Sequence, residues 1–258
     1  MMNHFVFLIA GSAAVLLGST GSCFAQSQTW GTLRGQFILE GNIPQRLPLV
    51  TRTPGLINQD VPDESLVVDS ETKGIANVVV YLFKRPKSVH PDLEGGADSD
   101  DVDATGKEIV LDVLNDRFVP HFLFARTDQR IRVLNHDPVS RHLQITPIRN
   151  AHFNRLLKPS DRTGFVLDQL TQSERIPIRV TSNLHPWMSA YLLVLDHPYA
   201  AISDGEGKYE IRNLPIGEHV FFVWQETIGW VDKKFVVTIE AGENQREPVK
   251  IPVKRFER

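Results

Sequence analysis

The densest chemistry in the chain lies in seven residues, Ser182-Asn183-Leu184-His185-Pro186-Trp187-Met188. They join a β-rich run ending near Thr181 to another starting near Tyr191. An imidazole and a thioether this close on one short loop are donors suited to copper. A copper electron-transfer centre takes two imidazoles, one thiolate and a weak axial thioether. Three of those four share one loop between the last two strands, and the remaining histidine arrives from an earlier strand. This loop has no cysteine. The alternation Ile176, Ile178, Val180, Ser182 predicts one strand with Ser182 on the inward face.

The loop resembles the Cys-x-x-His-Pro-x-Met loop of amicyanin-type cupredoxins, with serine in the cysteine place. Upstream, Phe118-Val119-Pro120, the run Arg130 to Leu134, and Asn135-His136-Asp137-Pro138 leading to His142 resemble the cupredoxin order of Phe-x-Pro, strand, Asn-x-Asp and first histidine ligand. The resemblance covers about Glu108 to Asp196. The longer run through Asp196-His197-Pro198-Tyr199 is similar to secreted bacterial proteins of methylamine-utilisation-like type. The resemblance implies His142 as the first copper ligand, His185 as the second and Met188 as the axial one, with Ser182 in the lost thiolate position. A serine hydroxyl stays protonated near neutral pH and is a poor copper ligand, so no blue site is expected. Two imidazoles and a thioether can still hold Cu(I), or Cu(II) with water. The expected cofactor is therefore copper or, in the leading expectation, none. Relatives carry Trp-His-Glu in the last third, where this chain has Trp224-Gln225-Glu226. His136 and His152 lie near the same rim and are expected to be solvated polar residues. Trp187 is expected to be a rim aromatic, and His121 to sit at the surface.

The elements that must position these residues read as β throughout. Of 258 residues, 41% are hydrophobic and 23% charged, enough to bury a core. With a formal net charge of -3, nothing in the sequence suggests a nucleic-acid footprint, which would need a basic patch or stripe. Residues 1–25 read as a signal peptide, with an apolar run from Phe5 to Gly18 and small residues at Cys23 and Ala25, cleaved before Gln26. The run is too short for a membrane span. Cys23 is the only cysteine, and cleavage removes it. Helical periodicity is nearly absent. Short β-rich runs separated by Gly, Pro, Asn and Asp point to sandwiches or barrels.

Thr32 to Leu39 is a first strand, and Pro44 to Gly74 a long surface excursion. Asn77 to Phe83 is apolar on both parities, hence buried on both faces. Ile109 to Leu114, Phe118 to Ala125, Arg130 to Leu134 and His142 to Ile145 follow as strands. Phe235 to Ile239 and Val249 to Val253 are expected to form a closing hairpin. Ser203-Asp204-Gly205-Glu206-Gly207-Lys208-Tyr209 with Leu214-Pro215-Ile216-Gly217 resembles the turn pattern of carboxypeptidase-regulatory-like (transthyretin-like) β-sandwiches. Gly31-Thr32-Leu33-Arg34-Gly35 and Val78-Val79-Val80-Tyr81-Leu82 fit the opening strands of that family. The expected fold is therefore all-β: a cupredoxin-like Greek-key β-sandwich plus a second, split, transthyretin-like β-sandwich. The divisions are a signal peptide at 1–25, N-terminal sandwich strands with a long loop at 30–83, and an acidic linker at 84–107. A cupredoxin-like domain at 108–197 and the remaining sandwich at 198–255 complete the chain. The plain alternative is two consecutive domains cut near Pro198.

No Gly-x-Ser-x-Gly, His-Glu-x-x-His, phosphate loop or cysteine pair occurs, so no enzyme is expected. The expected function is a periplasmic or extracellular binding or scaffold module, with a protein or glycan partner in the cell envelope, no nucleic acid and no membrane span after signal cleavage. The alternative is periplasmic copper handling through His142, His185 and Met188. Ordinary electron transfer would need the thiolate that the mature chain lacks.

Overall fold

The computed structural model describes residues 29–50, 60–94, 108–168 and 170–257. The expected signal peptide, Cys23 and most of the acidic linker lie outside them. Among the described residues no helix is long and apolar enough to cross a membrane.

Trp30–Glu40 (β1), Leu49–Val50 (β2), Asp60–Val61 (β3) and Val79–Leu82 (β4) come first, followed by a short helix, Pro91–Glu94 (α1). The middle of the chain holds Glu108–Leu114 (β5), Arg117–Val119 (β6), Phe122–Arg126 (β7), Arg130–Asn135 (β8), Arg141–Ile145 (β9), Phe153–Leu157 (β10), Asp161–Leu167 (β11), Ile178–Thr181 (β12) and Ser189–Leu195 (β13). The last part holds Ala200–Ile202 (β14), Lys208–Pro215 (β15), Gly217–Gln225 (β16), Gly229–Ile239 (β17), Gly242–Gln245 (β18) and Val249–Pro252 (β19). The fold is all-β.

The middle strands form two sheets, ordered β10-β9-β12-β13-β7 and β11-β8-β5-β6. Their inward side chains, among them Ile109, Leu111, Phe118, Ile131, Leu143 and Val180, make one buried cluster. β7 joins β13 in parallel and β5 joins β8 in parallel, while the other neighbours are antiparallel. Phe118 to Ala125 is not one strand. It breaks at Pro120, which cannot donate to a ladder. β6 pairs with β5 in one sheet, and β7 pairs with β13 in the other. The chain therefore changes sheets at Pro120-His121, and His121 sits where the two sheets part.

The outer strands form two further sheets, β14-β4-β16-β17 and β15-β1-β18, with β19 also on β1. Leu33, Phe37, Val78, Val80, Phe221 and Ile251 fill the core they share. β4 is buried at all four positions. Val80 and Leu82 face that core, while Val79 and Tyr81 meet Phe122, Leu193 and Leu195 of the middle strands. An apolar run on both parities thus serves two cores at once. β4 pairs with β14 and β16, both beyond residue 198. The chain leaves this sheet after Leu82 and rejoins it at Ala200, beside the strand it left.

Three further details depart from the sequence reading. β17 and β19 make no hairpin: β17 pairs with β16, and β19 runs parallel to β1. β18 already runs parallel to β1 along Gly31 to Arg34, and β19 continues on the same strand at Phe37 to Glu40. Ile176 lies outside β12 and is 36% exposed, because Pro177 interrupts the run before Ile178. Finally, the excursion before Gly74 is anchored. Leu66 and Val61 are buried, and Val68 bridges to Ile75.

Ser203, just after β14, holds the chain where it leaves the excursion and enters β4. Its Oγ donates to the Ile75 carbonyl at 2.7 Å and accepts from the Val78 amide at 2.9 Å, all of it buried. Ser203→Ala orphans both backbone groups and is expected to cost about 1–3 kcal/mol. Urea unfolding followed by tryptophan fluorescence measures that loss; an unchanged midpoint would show these bonds to be idle.

Candidate functional site

The loop of residues 182–188 closes one end of the middle unit, between β12 and β13. Asn135 and Asp137 build the floor beneath it. The Asn135 side-chain amide donates to the Val139 and Lys158 carbonyls at 2.9 and 2.7 Å, and its oxygen accepts from the Asp137 amide at 3.1 Å. Asp137 in turn accepts from the amides of Asn115 and Asp116 at 2.7 and 3.1 Å. The guanidinium of Arg141 is 1% exposed and pairs with Asp116 and Asp137 at 2.5 and 2.6 Å. A buried cation held by two carboxylates fixes the start of β9 and so places the next residue, His142.

His142 is buried, and both of its ring nitrogens are used by the protein. The Asn183 backbone amide donates to Nδ1 at 3.0 Å, and Nε2 lies 2.8 Å from Asn154 Oδ1. Nδ1 must accept, so the neutral ring carries its proton on Nε2 and donates to Asn154. Ser182 is buried as the β12 alternation requires, and its Oγ accepts from the His185 amide at 3.1 Å. His185 is buried, packs edge-on against Trp187, and has an Nδ1 with no hydrogen-bond partner among the described residues. Burial first, then the Arg141 guanidinium and the neighbouring His142, hold its pKa below 6.5, against the opposing pull of Asp116 and Asp137. Met188 is 1% exposed and belongs to the middle core.

The structure therefore brings His142, Ser182 and His185 to one end of the unit and sinks Met188 into the core beneath. A type 1 copper ion does not fit this donor set: it needs a thiolate, the Ser182 hydroxyl is already bonded within the loop, and Nδ1 of His142 is taken. Among the described residues, no group of three or more His, Cys, Asp and Glu side chains is placed to hold a metal ion. Of the rim histidines, His152 is exposed, while His136 is half-buried with Nδ1 2.6 Å from Asp112. Trp187 is half-buried against the middle core.

His121 is not at the surface. It is 9% exposed, with Nε2 2.5 Å from Glu226 and Nδ1 3.8 Å from Glu64, which also pairs with Arg117. Trp224, two residues before Glu226, packs on Tyr191 and Phe122. Gln225 is buried and donates to the Ser65 carbonyl at 2.7 Å. The Trp224-Gln225-Glu226 run, which stands where relatives carry Trp-His-Glu, is thus part of the contact between the outer strands and the middle unit. Burial draws the pKa of His121 down, but the hydrogen bond and charge of Glu226, with Glu64 and Asp63 behind it, outweigh burial and hold it above 6.5. His197, 2% exposed, is pushed by burial down to about 4.

No protein-family model matches the chain, and no curated protein matches it. Among solved structures it is similar to amicyanin. A proline-to-glycine variant in its reduced Cu(I) form at pH 4 shares 16% identity over 39% of this chain and 89% of that chain, with a TM-score of 0.30. A reduced proline-to-phenylalanine variant shares 14% over 45% and 97%, also at 0.30. A methionine-to-alanine variant with Cu(I) shares 14% over 39% and 89%, at 0.30. Likeness at this level identifies no relative.

Two of the buried histidines, His121 and His197, predict a pH optimum of stability. The raised pKa of His121 means its contribution is complete below 6.5 and is lost as pH climbs through the folded value. The depressed pKa of His197 means that stability is lost as pH falls from 6.5 towards about 4. In urea midpoints measured across pH, His121→Gln, which still donates to Glu226 but does not titrate, is expected to flatten the alkaline limb and leave the acid limb intact. An alkaline limb unchanged by the substitution would contradict this assignment.

Proposed function

We propose that this chain is a secreted, non-enzymatic binding or scaffold protein, built on a cupredoxin-like unit whose metal loop has become a structural loop. The unit spans residues 108–197 and is inserted into a transthyretin-like sandwich formed by residues 30–83 and 198–255. One observation carries the reading: both ring nitrogens of His142 are engaged by the protein itself, one by the Asn183 amide inside the loop. A ligand histidine would have to give up the amide bond before Nδ1 could reach a metal. The serine at 182 supports the same reading, because blue-copper chemistry rests on a copper–thiolate bond. The order Phe118, Asn135, Asp137, His142, His185, Met188 supports the cupredoxin-like assignment, and the apolar run of residues 5–18 supports export.

A second reading, copper handling in the periplasm, is favoured by one feature. Among the described residues, Nδ1 of His185 is buried without a hydrogen-bond partner, three residues before the buried thioether of Met188. In that role His185 and Met188 would hold Cu(I), with His142 joining after release of Asn183.

Titration of the purified mature protein with Cu(I) and Cu(II), beside a His142→Ala/His185→Ala double variant, separates the two. The structural-loop reading expects no binding above that of the double variant. Stoichiometric binding that the double variant loses would overturn it in favour of copper handling.

A further inference from the structure

The outer face of the sheet β14-β4-β16-β17 is only half covered. At one end Val79, Tyr81, Trp224 and Trp230 lie under the middle unit. At the other end the same face continues with no cover from the described residues. Phe83 is 44% exposed, Val220 38% and Val236 46%. Phe83 stacks on Phe222 with ring centroids 4.4 Å apart, and Phe222 in turn meets Trp230 edge-on. The apolar strip is thus continuous with a contact the protein already uses, and it floors a groove of 760 Å³.

The rim of this groove is strongly cationic. Lys84, Arg85, Lys87, Lys233 and Lys234 line it, against the single acid Glu218. Arg85 is held by the Asp196 carbonyl. Lys233 lies over the Trp230 ring at 5.5 Å. Lys84, Lys87 and Lys234 make no ion pair among the described residues. This concentration stands on a chain whose net charge is -3. An exposed apolar strip rimmed by one sign of charge marks an interaction surface, and the sign selects the partner.

We infer that this groove docks an extended acidic segment of a partner protein, with aliphatic side chains alternating with Asp or Glu. The geometry favours an extended segment because β17 is the last strand of its sheet. An extended segment lying in the groove can set aliphatic side chains on the apolar strip and carboxylates against the rim lysines. Lysines on an edge strand discourage pairing with neutral or basic strands. Lys233 and Lys234 therefore admit an acidic one. The inference is independent of whether His142 and His185 take copper, since neither residue lines the groove.

The test uses the mature full-length chain and fluorescence anisotropy. The probe is a labelled octapeptide alternating glutamate with valine and leucine, and its control carries lysine for glutamate. The acidic peptide is expected to bind saturably and to weaken as salt is raised. Lys233→Glu/Lys234→Glu is expected to weaken it about tenfold or more, the scale set by removal of close charge pairs. Val236→Ser is expected to weaken it while leaving the salt dependence intact. All these positions are exposed, and unchanged thermal midpoints confirm that the variants fold. Absence of saturable binding, equal affinity for the lysine peptide, or equal affinity in the charge-reversed variant would overturn the inference. So would preferential capture by phosphatidylglycerol vesicles, which would make the groove a membrane site.

Discussion

The amide of Asn183 pointing at Nδ1 of His142 ties the loop of residues 182–188 to β9, and much of the middle unit is arranged around that bond. On one side the buried Arg141–Asp116–Asp137 group fixes where β9 begins. On the other, Ser182 accepts from the His185 amide and Met188 anchors the loop in the core. A loop with this residue pattern is suited to a metal. Here the same positions are held by hydrogen bonds and packing. The Ser182 hydroxyl is a poor copper ligand and is already bonded within the loop.

The second constraint is β4. Its two faces feed different cores, so the middle unit cannot shift without uncovering Val79 and Tyr81. His121 and Glu226 reinforce the contact with a buried charged pair, at the point where the chain changes sheets. Such a pair contributes little when both partners are present, but removing one strands a buried charge. The contact between the units is thus apolar in its bulk and polar in its specificity. The same sheet face runs on towards Phe83 and Val236, with no cover from the described residues.

Much of this was legible in the sequence, for identifiable reasons. β4 announced itself because apolar residues on both parities have no other use in a soluble sheet. Ser182 pointed inward because strand alternation is strict over Ile178 and Val180. The features that were not legible are those with no residue signature. A backbone amide such as that of Asn183 has the same chemistry in every residue, so its aim at His142 appears only in three dimensions. The pairing of His121 with Glu226 spans 105 positions, and nothing in a lone histidine after a proline indicates a distant carboxylate. The closing hairpin failed for a related reason: β19 is a plain alternating run, and alternation does not say which strand it pairs with.

The tautomer of His142 tests the account most directly. Long-range ¹H–¹⁵N correlation spectra of the mature, metal-free protein near neutral pH report which ring nitrogen carries the proton. A single tautomer protonated at Nε2, with an unprotonated, hydrogen-bonded Nδ1 and a protected Asn183 amide, is the predicted result. A ring protonated at Nδ1, or one exchanging between tautomers with a rapidly exchanging Asn183 amide, would show that the loop does not hold His142. The imidazole would then be free to serve a metal.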